Sequence, residues 1–194
     1  VDLENIKQKT IKDKHTNKYR NKLKISSKTV IIQYSGSMNK KQGFDFLLPI
    51  IRHFKKNKNV LWLFAGEGPS KSEFIKSTKD IPNIKFLSFQ KPSELSEWLN
   101  TGDIHIIPQN EEVEDLLFPS KLISILGSGN PIVSNANRKT ELGKIYGEKR
   151  LNNILNNLDE KQFKELCGNL SSGVPISTPV FDGATTEDIT KMLE

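Results

Sequence analysis

The sequence predicts an α/β protein in which a Rossmann-like, doubly wound parallel sheet forms a single domain. Three observations lead to this fold class. Short apolar runs alternate with segments of helical periodicity, at intervals of roughly 20–30 residues. The first two runs, Thr29–Ser35 and Val60–Ala65, are typical of strands covered on both sides of a sheet. Each run ends at a glycine or a polar loop, and ligands of such sheets bind outside the carboxyl ends of the strands.

The first predicted strand, Thr29–Ser35, is rich in β-branched residues and stops at Gly36. β-Branched and aromatic side chains favour strands because they pack well on a pleated surface. The same reasoning applies to four later runs. The strands that these runs predict are Val60–Ala65, Ile84–Phe89, Asp103–Pro108 and Pro131–Ser134.

The helices are predicted from apolar residues at helical spacing between these strands. In the first of them, Gly43–Lys56, Pro49 should kink the helix or delay its start, because proline lacks the backbone N–H. The helix from Pro119 to Leu126 begins at a proline and is closed by Gly127 and Gly129. The other predicted helices are Ser70–Lys79, Pro92–Asn100, Thr140–Tyr146, Arg150–Leu158, Lys161–Leu170 and Thr185–Leu193.

Charge is distributed unevenly along the 194 residues, which carry 29 Lys and Arg, 23 Asp and Glu and a net charge of +6. The whole excess lies in Val1–Lys28. A neutral remainder excludes a folded basic face for nucleic acid. We therefore predict a basic linker or arm over residues 1–28, which can include one turn of helix. Residues 29–147 form the Rossmann-like domain, and residues 148–194 form a helical or irregular C-terminal segment.

Several classes of protein and site are excluded by composition. One cysteine, Cys167, rules out a disulfide framework, and three widely separated histidines argue against a histidine metal site. No apolar run approaches the ~20 residues of a membrane span. The polar start has no apolar signal region, so we expect a cytoplasmic protein and a segment of a longer chain. No metal and no cofactor are predicted.

Two glycine loops follow the first two strands. Gly36–Gly43 contains Lys40 and Lys41, and backbone N–H groups at a helix start together with ammonium groups make an anion site. Gly66 and Gly68 let the backbone approach a ligand closely. Both loops are also compatible with plain turns, and these alternatives stay open from the residues alone.

Two further loops follow the last two strands. The loop Pro108–Lys121 contains four carboxylates, which serve acid–base chemistry or a solvated surface. Lys121 follows Ser120 at a helix start, where the helix dipole disfavours a cation unless an anion is bound. In the loop Asn135–Glu141, Thr140 and Glu141 either hydrogen-bond a sugar or phosphate or cap the next helix.

These loops occur in a recognisable order. The segments that carry the likeness are YSGSMNKKQGFDFLL, FAGEGP, LSFQKPSELSEWLNTGDIHIIPQ, LLFPSKLISILGSGNPIVSN and KTELG. Together, over Thr29–Tyr146, they resemble the C-terminal domain of GT-B retaining glycosyltransferases of group 1, family four, in the colanic acid and O-antigen branch. The resemblance implies a domain that binds a UDP- or GDP-sugar without a metal. A separate N-terminal domain would bind the acceptor, so this fragment alone would be inactive.

The same resemblance assigns roles to individual residues. Those that would bind the donor are Gly36, Ser37, Gly66, Gly68, Gln90, Ser120, Ser124 and Thr140. Those in the catalytic set are Lys41, Lys121 and Glu141. The diphosphate would meet the first loop and Lys121, the base would meet the loops of Gly66 and Gln90, and the ribose would meet Ser124.

The sequence departs from the family pattern at the diphosphate and ribose positions. Ser37 and Gln42 stand where the family has an arginine and a lysine, and Leu116 and Ser124 stand where it has paired glutamates. The implied function is sugar transfer to a lipid-linked or polysaccharide acceptor in cell-surface glycan synthesis. The departures leave open a degenerate, non-catalytic half that binds nucleotide or a partner. A sugar-nucleotide epimerase is disfavoured because histidine is scarce. The basic arm fits an anionic membrane surface or a solvated linker.

Overall fold

The computed structural model describes residues 13–110, 121, 124–125 and 128–134. They contain a five-stranded parallel sheet in the order β3-β2-β1-β4-β5. The strands are β1 (Val30–Ser35), β2 (Val60–Ala65), β3 (Ile84–Leu87), β4 (Ile104–Ile107) and β5 (Ile132–Ser134). All five predicted strands are confirmed. The third ends two residues early, and Phe89 is 55% exposed.

Helices cover both faces of the sheet, which confirms the doubly wound prediction. The α-helices are α1 (Asp13–Thr16), α2 (Lys18–Lys22), α3 (Leu47–His53), α4 (Lys71–Ser77) and α5 (Leu95–Leu99). Alternate strand residues point to opposite faces. Ile32 and Trp62 pack with residues of α3 and α4, whereas Ile31 and Leu63 pack with Tyr19 of α2 and Trp98 of α5.

The predicted helix over Gly43–Lys56 is divided into three parts. Phe44–Phe46 and Phe54–Lys56 are 3₁₀ turns on either side of α3. Pro49 lies in the first turn of α3, where its missing N–H costs no hydrogen bond. The delayed start that proline predicts is therefore observed. At the helix before β5, Lys121, Ser124, Ile125 and Ser128 are helical, and Gly129 follows with a φ of 72°.

The N-terminal segment was predicted as a basic linker or arm, but Asn17, Tyr19 and Arg20 are buried against the rest of the domain. Asn17 caps α2 and donates its side-chain amide to the Glu97 carbonyl. Tyr19 meets Trp98 edge to face, with ring centroids 5.1 Å apart. Arg20 is fully buried and contacts the Asp103 carboxylate at 2.5 Å. These contacts could not be predicted from the sequence, because the segment has no apolar periodicity. Each contact depends instead on one partner that is distant in sequence.

Other predictions fall outside the described residues. They are the helices Thr140–Tyr146, Arg150–Leu158, Lys161–Leu170 and Thr185–Leu193, together with the whole of residues 148–194. Within the described ranges, the helices are too short and too polar for any to cross a bilayer.

Candidate functional site

The first loop, Gly36–Gly43, is a tightly capped turn at the carboxyl end of β1. Asn39 precedes a 3₁₀ turn and accepts a hydrogen bond from the Lys41 N–H, and the Gln42 side chain bonds back to the Asn39 N–H. Gly43 closes the turn at a φ of 55°. A Cβ at Gly43 would lie 2.8 Å from the Gln109 carbonyl oxygen, so the loop also packs against the residues that follow β4. Gln42, where the family has lysine, thus shapes the turn.

The loops after β1 and β2 cross in direct backbone contact. The Met38 N–H donates to the Glu67 carbonyl at 2.8 Å, and the Ser70 N–H donates to the Met38 carbonyl at 3.0 Å. A Cβ on Gly66 would lie 1.9 Å from the Gly36 oxygen, and one on Gly68 would lie 2.2 Å from the Met38 oxygen. The sequence prediction assigned the close approach at these glycines to a ligand. In the structure, the protein's own first loop already makes it.

Lys121 reaches this crossing from the helix before β5. A Cβ on Gly36 would lie 3.4 Å from the Lys121 ammonium nitrogen. That nitrogen lies 4.5 Å from the centroid of the Tyr34 ring and 3.4 Å from the Tyr34 hydroxyl. A cation over an aromatic face is attracted by the ring quadrupole. The structure therefore brings together Gly36, Ser37 and Lys121 of the predicted site.

The surroundings of Lys121 alter its acidity. Burial lowers the pKa of the Lys121 ammonium to about 8, because the charged form loses solvation. Burial also raises the pKa of the Tyr34 phenol well above its usual range. A group with a pKa near 8 is still largely protonated at neutral pH. The Lys121 ammonium group can therefore neutralise a phosphate at neutral pH, and it loses that ability as the pH rises above about 8.

Backbone polarity at the loop favours the same ligand. The Ser37 carbonyl accepts a hydrogen bond from the buried Tyr34 hydroxyl at 2.6 Å, so its oxygen is directed into the domain. Ser37 is an exposed residue, and its N–H finds no acceptor among residues that the structure describes. An N–H without a protein acceptor, on the same loop as an ammonium group, adds to a donor set for an oxyanion. In the same described part of the chain, no three metal-ligating side chains cluster.

Three other predicted residues are described but are not shown in contact with Lys121. The Lys41 side chain is exposed, and its carbonyl accepts from the Asn110 N–H at 3.0 Å. Gln90 is half-buried and donates its amide to the Ser88 carbonyl at 2.6 Å. Ser124 is 5% exposed, which leaves little surface for a ribose. Ser120, Thr140 and Glu141 lie outside the described residues, as do the four carboxylates.

A pocket of about 560 Å³ opens beside the other half of the first loop. Its lining includes Asn39, Lys40, Phe46, Glu73 and Asn110, and neither Gly36 nor Lys121 contributes to it. The pocket is therefore adjacent to the Lys121 site and distinct from it. The candidate anion site is the one at Lys121, because an ammonium group lies beside the first loop there, close to the Ser37 backbone, whereas the pocket is lined by carboxylates, amides and rings.

Two residues of this site were not predicted from the sequence. Tyr34 and Met38 are both fully buried. The Tyr34 hydroxyl contacts Ser37 and Lys121, and the Met38 backbone contacts Glu67 and Ser70. For Tyr34 the sequence did contain a signal, because this tyrosine is the next-to-last residue of a strand that leads into a glycine loop. A buried tyrosine hydroxyl usually needs a partner. Met38 acts through its backbone, which leaves no side-chain signal.

Comparison with known proteins gives the chain its context. WcaI of Escherichia coli K12, which carries the name of a colanic acid biosynthesis glycosyl transferase, is 28% identical over 137 residues. That match covers 70% of this chain and 33% of WcaI, so the chain spans about one third of that relative's length. A shorter match, 48% identical over 52 residues, is to the DNA-directed RNA polymerase subunit beta of Acidiphilium cryptum. It covers 27% of this chain and 4% of that subunit, and assigns no family.

Solved structures share the fold at low identity. HepE of Anabaena, solved with UDP and glucose, is 10% identical with a TM-score of 0.65, and the match covers 100% of this chain and 44% of HepE. The C-terminal domain of LpcC, a group 1 glycosyl transferase of Francisella tularensis, is 14% identical with a TM-score of 0.58, covering 100% of this chain and 85% of that one. The fold is thus that of GT-B C-terminal domains. The family model of the group 1 glycosyl transferases matches residues 29–170, and the chain belongs to that family.

Proposed function

We propose that this domain binds the nucleotide-sugar donor of a retaining glycosyltransferase, and that the donor is a UDP- or GDP-sugar. The observation that carries the proposal is the Lys121 ammonium group, held beside Gly36 at the mouth of the first loop. A diphosphate offers the negative charge and acceptor oxygens that this ammonium group and the Ser37 N–H would bind. Family membership and the UDP bound in the HepE structure support the same ligand class.

The proposal extends to the whole enzyme from which such a domain would come. The transferred group would be a hexosyl or N-acetylhexosaminyl unit. The acceptor would be lipid-linked or a polysaccharide on the cytoplasmic side of the membrane, in cell-surface glycan synthesis. The colanic acid role in the name of WcaI supports this choice. An N-terminal domain would hold the acceptor, so the 194 residues alone should bind donor without transferring sugar.

The test is isothermal titration of the 194-residue chain with UDP, GDP and uridine. Lys121→Met should weaken UDP binding about 10–100-fold, because one charge-assisted contact contributes about 1.5–3 kcal/mol. Uridine binding should be unchanged, since uridine has no phosphate. Lys58→Met is the matched control, because Lys58 is exposed just before β2, at the amino ends of the strands and away from the candidate site. Absence of binding by either nucleotide at millimolar concentration would contradict the proposal.

A second candidate is a degenerate half that binds nucleotide or a partner chain and takes no part in catalysis. The near-complete burial of Ser124 and the structural use of Gln42 favour it, because both stand where the family has ligand-binding side chains. The titration alone does not separate the two candidates, because a degenerate half can also bind nucleotide. A transfer assay with the flanking N-terminal coding sequence restored would separate them, since the degenerate half would bind UDP or GDP and transfer nothing.

A further inference from the structure

Tyr34 occupies a fixed position beneath the proposed diphosphate site. It is the next-to-last residue of β1 and is 0% exposed. Its ring centroid lies 5.0 Å from that of Phe44, edge to face, and 5.9 Å from that of Phe64. Ring pairs at these distances and angles are attractive and restrict rotation. The core therefore holds the Tyr34 side chain before any ligand binds.

The phenol of Tyr34 contacts both parts of the anion site. Its hydroxyl donates to the Ser37 carbonyl at 2.6 Å and accepts from the Lys121 ammonium nitrogen at 3.4 Å. Its ring also lies beneath that nitrogen, 4.5 Å from the centroid. A hydroxyl can donate one hydrogen bond and accept others. One buried group thus links a loop peptide from β1 to a cation from the helix before β5.

These contacts bear on how an anion would be received. With the Ser37 carbonyl directed at the buried hydroxyl, its negative end is kept away from the exposed side of the loop. The ammonium group, drawn to the ring, remains beside Gly36 and does not extend freely into solvent. Groups held in place before binding lose less side-chain entropy when the ligand arrives.

We infer that Tyr34 is a positioning residue for diphosphate binding, because it holds the Lys121 ammonium group beside Gly36 and turns the Ser37 carbonyl away from the exposed side of the loop. This inference rests on the proposed function and adds a residue to its site. Tyr34 does not touch the ligand itself. It acts through Lys121 and through the first loop, which is why its effect should depend on the number of phosphates in the ligand.

Tyr34→Phe in the full 194-residue chain tests the inference, because it keeps the ring and removes the hydroxyl. We expect UDP to bind about tenfold more weakly, which is the loss of one hydrogen bond to a charged group. UMP should lose about threefold or less, and uridine should lose nothing. A purely structural role would weaken all three ligands alike. Phe86→Leu is the control, because it perturbs the same apolar cluster without contacting Lys121.

A double-mutant cycle with Lys121→Met asks whether Tyr34 acts through the lysine. The double variant should bind UDP within about threefold of Lys121→Met alone, since contacting residues show non-additive effects. Losses that multiply in full, or equal UDP affinity in Tyr34→Phe and the wild type, would overturn the inference. Failure of the wild type to bind UDP or GDP would instead contradict the proposed function.

The contact can also be measured without any substitution. In the wild-type chain, proton NMR should show a nuclear Overhauser effect between the Tyr34 ring protons and the Lys121 Hε protons. The effect should persist, with shifted Lys121 resonances, when UDP is added. Its absence from the free and the UDP-bound protein would overturn the inference even if Tyr34→Phe failed to fold.

Discussion

Lys121 combines a cationic side chain with a half-buried position, and this combination makes ligand binding depend on pH. Burial lowers the pKa of its ammonium group to about 8 in the free protein. A bound diphosphate would favour the charged form, so the pKa of Lys121 would be higher in the complex. Binding therefore takes up a proton when the pH exceeds about 8, and it is unaffected by this group at lower pH.

We expect UDP affinity to be level between pH 7 and about 8 and to fall at higher pH, by at most tenfold per unit. Titrations from pH 7 to 9, in buffers of different ionisation enthalpy, would measure both affinity and proton uptake. Lys121→Met should show neither effect. An equal fall in the variant would assign the pH dependence to another group.

The lowered pKa of Lys121 also affects the stability of the free protein, and this effect has the opposite dependence on pH. The unfolded chain holds its Lys121 proton up to the ordinary lysine pKa near 10.4, whereas the folded chain releases it near pH 8. Between these values the unfolded state binds more protons, so the contribution of Lys121 to stability rises with pH. The residue thus costs stability at neutral pH, which is typical of a side chain retained for binding.

Gly66 is a second residue whose identity is dictated by its neighbours. Its Cβ would lie 1.9 Å from the Gly36 oxygen, so Gly66→Ala must separate two crossing loops. We expect a loss of about 2–4 kcal/mol in the free energy of unfolding, measured in urea. Gly129→Ala is the comparison, because a φ of 72° costs a non-glycine residue only about 1–2 kcal/mol. Equal losses in both variants would argue against the crossing.

At the scale of elements, the N-terminal segment is joined to the sheet by a buried ion pair. Arg20 and Asp103 are 0% and 1% exposed at their side chains. Arg20 also donates to the Thr101 carbonyl, and Asp103 accepts from the Ile31 N–H at 2.8 Å. Each charge is thus paired and hydrogen-bonded, which is the condition under which a buried ion pair is tolerated.

Arg20→Met should therefore destabilise the domain by about 3–5 kcal/mol, because it leaves a buried carboxylate without its cation. Thermal and urea unfolding would measure this loss. Adding Asp103→Asn should cost less than the sum of the two single substitutions. Lys55→Met is the control, since the Lys55–Asp80 pair is 42% and 56% exposed and should contribute under about 1 kcal/mol. Additive losses at Arg20 and Asp103 would contradict a coupled pair.

For the whole molecule, the sequence was sufficient to predict the strands of the sheet, but it was insufficient to predict the polar contacts between distant residues. Apolar runs such as Val60–Ala65 locate strands because burial on both faces excludes polar residues. The packing of Arg20 was missed because a charged residue in a polar segment predicts solvent exposure. At the candidate site, glycines and Lys121 were predicted, whereas Tyr34 was not. Its role depends on two partners, Ser37 and Lys121, that lie 3 and 87 residues away in sequence.

The surface charge of the whole chain supports one further test. Lys22, Lys24 and Lys28 are exposed on the N-terminal segment. We propose that these lysines contact an anionic membrane surface. Replacing Lys22 and Lys28 by glutamine should weaken binding to phosphatidylserine vesicles about 30-fold, at about 1 kcal/mol per basic residue. Sedimentation with neutral vesicles is the control. Unchanged binding would contradict the membrane contact.

The position of the Arg20–Asp103 pair has a consequence for experiments on this domain. The pair lies at the amino ends of β1 and β4, whereas Lys121 and Tyr34 lie at the carboxyl edge. At about 3.3 Å per residue, Tyr34 lies roughly 10 Å along the chain from Ile31, whose N–H binds Asp103, and Gly36, beside Lys121, lies roughly 17 Å from it. Substitutions that far apart usually act independently. Folding strength and nucleotide affinity should therefore be adjustable separately, which makes the Arg20 end a suitable place for stabilising changes or reporter labels.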